Sequence, residues 1–130
     1  MKALNVLVVE DDALIGMLFA DVLVAMGYCV CAIAATEVDA IAAAAQFKPD
    51  LMIVDARLRN GNGISAVEEI LRTRWVPHVF VSGETSRITA LRPGAIVIQK
   101  PIRDIDLGRA IQRALDAPAP SCAAANHEAR

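Results

Sequence analysis

Five short apolar runs, Leu4–Val9, Tyr28–Ile33, Leu51–Val54, His78–Val81 and Ala95–Ile98, alternate with stretches of helical periodicity, and this alternation constrains the fold more than any other feature. The runs are brief and rich in β-branched residues, which suits strands covered on both faces of a parallel sheet. After the first run, Leu14, Leu18, Val22 and Met26 recur every four residues, with Ile15, Phe19 and Leu23 beside them. Thr36-x-x-Asp39 reads as a capping box opening a second helix that ends near Phe47–Pro49. Ile64, Val67, Ile70 and Leu71 mark a third helix, and a short fourth over Thr85–Leu91 stops at Pro93-Gly94. The last opens at Asp104, read as its cap, and carries Leu107, Ile111 and Leu115 on one face. Strands and helices alternating five times predict a right-handed βαβ array, an α/β doubly wound parallel sheet in a single domain over residues 3–117. Residues 118–130 read as a disordered C-terminal tail.

Composition removes whole classes of function. The chain has 130 residues, of which 55% are hydrophobic and only 4% aromatic, so its core must be largely aliphatic. The longest uninterrupted apolar run, Tyr28 to Ala35, falls far short of the roughly 18 residues a membrane span needs. No secretory signal is legible at the start, so the expected location is the cytoplasm. A net charge of -2 argues against direct binding of nucleic acid through a broad basic field. Cys29, Cys31 and Cys122 lack metal-ligand spacing and read as small buried hydrophobes. His78 and His127 have no partner set for a metal and read as structural or solvated.

The position of the charges is more informative than their number. Glu10, Asp11 and Asp12 follow the first strand, Asp55 ends the third, Ser82 the fourth and Lys100 the fifth. In open α/β sheets the crevice at the carboxyl ends of the strands, where strand order reverses, is the ligand site. An order of 2-1-3-4-5 gathers all four strand ends there. Clustered carboxylates repel one another unless a cation is present. Mg2+ takes hard oxygen ligands and needs only one or two protein carboxylates beside a phosphate. Asp11 and Asp55 are the natural direct ligands, with Glu10 acting through a water. Lys100 adds a second positive charge for the oxygens of a phosphoryl group in transfer, and Ser82 adds a hydroxyl. Asp55 is the candidate nucleophile.

The ordered set Val8-Val9-Glu10-Asp11-Asp12, Val54-Asp55-x-x-Leu58 with Gly63, Phe80-Val81-Ser82-Gly83 and Gln99-Lys100-Pro101 resembles the receiver domain of two-component response regulators, over about residues 3 to 117. The resemblance implies a flavodoxin-like (βα)5 fold with strand order 2-1-3-4-5 and a phosphorylation switch of the stand-alone kind. A histidine kinase or histidine phosphotransfer protein would donate phosphoryl to Asp55, and output would run through protein contacts or phosphorelay, with a homodimer among the possibilities and the downstream partner unnamed. It implies a self-phosphorylating, self-dephosphorylating acceptor rather than a turnover enzyme. Glu10, Asp11 and Asp55 would hold Mg2+ together with the backbone carbonyl of Arg57, Ser82 would be the switch hydroxyl, and Lys100-Pro101 would carry a cis peptide aiming the lysine at the site.

Several positions depart from that pattern. Val97 stands where most receivers keep an aromatic ring three residues before the lysine, so coupling from hydroxyl to ring is lost. Arg59 stands where many have proline. Phe80-Val81-Ser82-Gly83 is similar to the Phe-Ala-Thr-Gly type motif of a stand-alone subgroup at two of its four residues. Arg57 and Glu84 carry opposite charges on adjacent strand-end loops and are expected to pair across the mouth. The first helix, whose only ionisable residue from Ala13 to Met26 is Asp21, is either deep in the core or a surface for a kinase or second protomer. Asp12 reads as a helix cap. A haloacid dehalogenase-type phosphatase wants an acid two residues after its nucleophile, where Arg57 stands. A flavodoxin-type cofactor would be repelled by Glu10, Asp11 and Asp12. A degenerate receiver, working as a phosphorylation-independent interaction module, is the remaining alternative.

Overall fold

A computed structural model describes residues 3–120. The apolar runs become β1 (Asn5–Val9), β2 (Cys29–Ala34), β3 (Leu51–Asp55), β4 (His78–Ser82) and β5 (Val97–Gln99), each followed by a helix. These helices are α1 (Ala13–Ala25), α2 (Glu37–Phe47), α3 (Gly63–Leu71), α4 (Thr85–Leu91) and α5 (Asp104–Asp116). All strands are parallel, in the order β2-β1-β3-β4-β5. This is the doubly wound order expected from the sequence, with the switch point between β1 and β3.

Strand periodicity divides the core in two. Leu7, Val9, Met52, Val54 and Phe80 face one way and pack with Ala40, Ala44, Ile64, Val67 and Ile70 of α2 and α3. Val6, Val8, Ile53, Val79 and Val81 face the other way and pack with Leu23 of α1 and Leu107, Ile111 and Ala114 of α5. The central strands β1 and β3 are therefore covered on both sides, while the edge strand β2 is only partly buried. His78 is buried within β4; its Nδ1–H donates to the Val76 carbonyl at 2.8 Å and its ring meets Trp75 and Phe80 edge-on. It is structural, as expected.

Helix starts follow local chemistry. The Asp12 side chain accepts from the amides of Leu14 and Ile15, Thr36 from Asp39, and Asn62 from Ile64 and Ser65. The expected cap at Asp104 is corrected: Arg103 occupies the cap position with no side-chain cap bond, and Asp104 is the first helical residue. An acid there still complements the positive end of the helix dipole. The proposed tail lies mostly outside the described residues, as do Cys122 and His127. The buried reading of the other two cysteines is corrected: on the edge strand β2, Cys29 is exposed and Cys31 only partly buried.

The deep-core reading of α1 is overturned. Of its residues only Gly16 and Leu23 are buried, whereas Leu14, Met17, Leu18 and Val24 are each more than half exposed. At the stripe that does meet the sheet, Gly16 permits a close approach, because a Cβ there would lie 2.9 Å from Ile33 on the sheet edge. The helix rests one stripe on the sheet and leaves its other apolar faces outward. Leu14→Arg and Leu18→Arg are accordingly expected to change unfolding free energy by less than about 0.5 kcal/mol, while Leu23→Ala costs about 2–5 kcal/mol in urea unfolding.

Candidate functional site

The chain places its hydrophilic residues where the sheet runs out. Glu10 directly follows β1, and its amide donates to the Ala34 carbonyl at 2.9 Å, holding the residue at the strand end. Asp55 closes β3, and its Oδ1 accepts the Arg57 amide at 3.0 Å. Lys100 follows β5; its amide donates to the Ser82 carbonyl at 2.9 Å, and the Lys100–Pro101 peptide is cis. Gly63 begins α3 directly behind Asp55, so close that any Cβ would collide with the Asp55 carbonyl oxygen. Gly63→Ala is therefore expected to cost about 3 kcal/mol or more, read by urea unfolding, because the obstacle is backbone rather than a flexible side chain.

These anchors bring Glu10, Asp11, Asp55, Ser82 and Lys100 to the wall of one open cavity of about 670 Å³. Carboxylate oxygens of Glu10, Asp11 and Asp55 lie within 4.8 Å of one another. Lys100 Nζ donates to Asp55 Oδ2 at 2.9 Å but stands 4.0 Å from Glu10 Oε1. Glu10 is 2% exposed; Oε2 accepts the Asp12 amide at 3.1 Å, while Oε1 is buried with no hydrogen-bond partner. An unpartnered buried carboxylate oxygen beside two further carboxylates is a strained arrangement that a hard cation relieves. The donor set fits Mg2+.

The electrostatics carry the same imprint. Burial, reinforced by the neighbouring Asp55 carboxylate, pushes the Glu10 carboxyl up to about 7, against the pull of the Asp12 amide and Lys100. For Lys100, burial works against the charged form, but the hydrogen bond and charge of Asp55 outweigh it and raise its pKa. Burial also opposes ionisation of Asp11, yet the Arg59 amide and guanidinium hold its carboxyl below the ordinary value.

Some expected contacts are not made. Arg57 and Glu84 both line the cavity, but no ion pair joins them among the described residues. Both side chains are exposed, where an ion pair gains little against the freedom it restricts. The Ser82 hydroxyl is turned onto its own loop, accepting from the Glu84 amide at 3.0 Å and donating to the Glu84 carbonyl at 3.2 Å. Val97 pairs with Phe80 and is half-buried against the core, so no ring occupies that position. Two contacts went unanticipated. Arg59 reaches Asp11, and Glu37 in the first turn of α2 braces the loop after β3 by accepting the Asn62 amide at 2.9 Å. The Arg59 departure from proline was the only signal of the first.

Comparison with known proteins gives a consistent result. Residues 6–112 match the response regulator receiver domain family. The Phyllosphere-induced regulator PhyR of Methylorubrum extorquens is 32% identical over 117 residues, covering 87% of this chain and 44% of that protein. The transcriptional regulatory protein PdtaR of Mycobacterium tuberculosis is 35% identical over 115 residues, covering 85% of this chain and 56% of that protein. The chain thus spans about half the length of these curated relatives. Among solved structures, the receiver domain of Erythrobacter litoralis PhyR superposes with a TM-score of 0.84 at 33% identity, covering 93% of this chain and 98% of that one. The response regulator domain of Thermotoga maritima CheB gives 0.78 at 28% identity, covering 90% and 99%.

Proposed function

The chain belongs to the response regulator receiver domain family, and on that premise we propose that it is a phosphorylation-dependent signalling switch whose acceptor is Asp55. The observation that carries the reading is the Lys100 ammonium bonded at 2.9 Å to an Asp55 carboxylate that also shares a metal-sized cluster with Glu10 and Asp11. A carboxylate oxygen of Asp55 attacks the phosphorus of a phosphohistidine on a histidine kinase or phosphotransfer protein. The new bond is O–P, the P–N bond breaks, and the imidazole leaves with the electron pair. Lys100 then stands beside the charge on the transferred group. Glu10, Asp11, Asp55 and the Arg57 carbonyl would hold Mg2+, which when bound supplies positive charge to the phosphoryl oxygens. Ser82 turns from Glu84 to receive one of those oxygens, and water later hydrolyses the acyl phosphate. The protein is an acceptor rather than a turnover enzyme.

Partners are proteins on this reading. The exposed apolar strip of α1 begins at Leu14, two residues after Asp12, and is the surface we assign to the phosphodonor. No described helix is long and apolar enough to cross a membrane. PhyR of Bartonella quintana, a related structure, is an anti-anti-sigma factor, and an output through protein contacts of that general kind is the one we favour for this chain. The test is incubation with a small acyl phosphate, with and without Mg2+, read by intact mass. One Mg2+-dependent phosphoryl adduct is expected. Its absence favours the phosphorylation-independent interaction module.

A further inference from the structure

Arg59 is the one cation besides Lys100 that touches the acidic cluster among the described residues, and nothing in the phosphoacceptor reading uses it. Its amide donates to Asp11 Oδ2 at 2.8 Å, and its Nε lies 3.5 Å from the same oxygen. The backbone around it is held from the far side. The Glu37 amide donates to the Asn60 carbonyl at 3.2 Å, the Glu37 carboxylate accepts from Asn62, and Gly61, at φ 94°, lies directly against Glu37. The Arg59 side chain, by contrast, is 77% exposed. A fixed amide and a loose guanidinium therefore share one carboxylate oxygen.

The two contacts act differently. The amide is neutral and orients Asp11 whether or not a metal is present. The guanidinium neutralises the carboxylate that a divalent cation needs, and it stands close enough to repel that cation. Because it is exposed, it can swing away at little cost, so it weakens metal binding without blocking it. Glu10 Oε1 has no hydrogen-bond partner in this arrangement, so the drive to bind a cation is undiminished.

We infer that Arg59 is a built-in competitor for the metal at Asp11, setting the Mg2+ affinity of the site below what its three carboxylates would give. This rests on the reading of Glu10, Asp11 and Asp55 as an Mg2+ site. The test is Mg2+ titration of the full chain by calorimetry, with the Mg2+-induced rise in melting temperature as a second readout. Arg59→Gln is expected to bind Mg2+ about three- to tenfold more tightly than wild type at low salt. Arg59→Lys keeps the charge and is expected to stay near wild type. Both retain the backbone amide, and because the side chain is exposed both are expected to fold as wild type, which unchanged urea unfolding checks. Wild-type or weaker affinity in Arg59→Gln, with Mg2+ binding still abolished by Asp11→Asn, would overturn the competitor alone. If wild type itself shows neither heat nor a melting shift with Mg2+, the metal-site reading falls with it.

Discussion

In Mg2+-free buffer the Glu10 carboxyl is expected to withdraw about 3 kcal/mol of stability as the pH rises from 4.5 to above 7, read as the difference between wild type and Glu10→Gln. The sign follows from the Glu10 carboxyl, held at about 7 in the folded chain against 4.5 when unfolded. Between those values the folded state binds the extra proton, so raising the pH favours unfolding. The penalty is complete above about 7, and absent below 4.5. The groups that set it are burial first, then the Asp55 carboxylate, opposed by the Asp12 amide and by Lys100. His78 acts in the opposite sense. Burial lowers its pKa below 6.5, so its contribution is complete above 6.5 and lost as the pH falls. Comparing Glu10→Gln with wild type at each pH cancels His78. Mg2+ is expected to stabilise wild type more at about pH 8 than at about pH 5, and the variant much less at either, because ligand linkage scales with affinity for the folded state. Urea unfolding at both values, with and without Mg2+, measures all of these.

Replacing Lys100 by methionine is expected to slow phosphoryl uptake from a small acyl phosphate by about 10²–10³-fold, the effect of removing one preorganised charge from a transfer site. The same change should tighten Mg2+ binding, since Lys100 Nζ lies 2.9 Å from Asp55 and 4.0 Å from Glu10, inside the cluster the metal would share. These opposite movements separate Lys100 from a merely structural role, which would weaken both together. Uptake followed by intact mass over time, alongside Mg2+ titration, reads the pair.

Much of this site was legible because its residues sit at strand ends, and strand ends are written in the hydrophobic pattern. Leu51–Val54 announces a strand, so Asp55 must emerge at its carboxyl end whatever the tertiary details. Asp12 and Thr36 were readable as caps because capping is local. What the pattern could not supply were contacts between distant loops. Arg59 with Asp11, and Glu37 with Asn62, depend on how two loops from separate strands lie across each other. Apolar count alone also misjudged α1: its residues are hydrophobic on every side, but only the stripe carrying Gly16 and Leu23 meets the sheet, and no other described element covers the rest. Asp104 was one residue out as a cap because Arg103 takes the extended cap conformation without any side-chain cap bond, so no capping side chain announces where the helix starts.

If Asp55 carries the phosphoryl group, borohydride trapping reads it at a single residue. An acyl phosphate is reduced to the alcohol, so phosphorylated aspartate becomes homoserine, whereas free carboxylate is untouched. Wild type treated with Mg2+ and a small acyl phosphate, then reduced and digested, is predicted to show homoserine at position 55 and nowhere else. Asp55→Asn is predicted to show none. Homoserine at Asp11 or Asp12, or a phosphoryl adduct that survives in Asp55→Asn, would contradict the account.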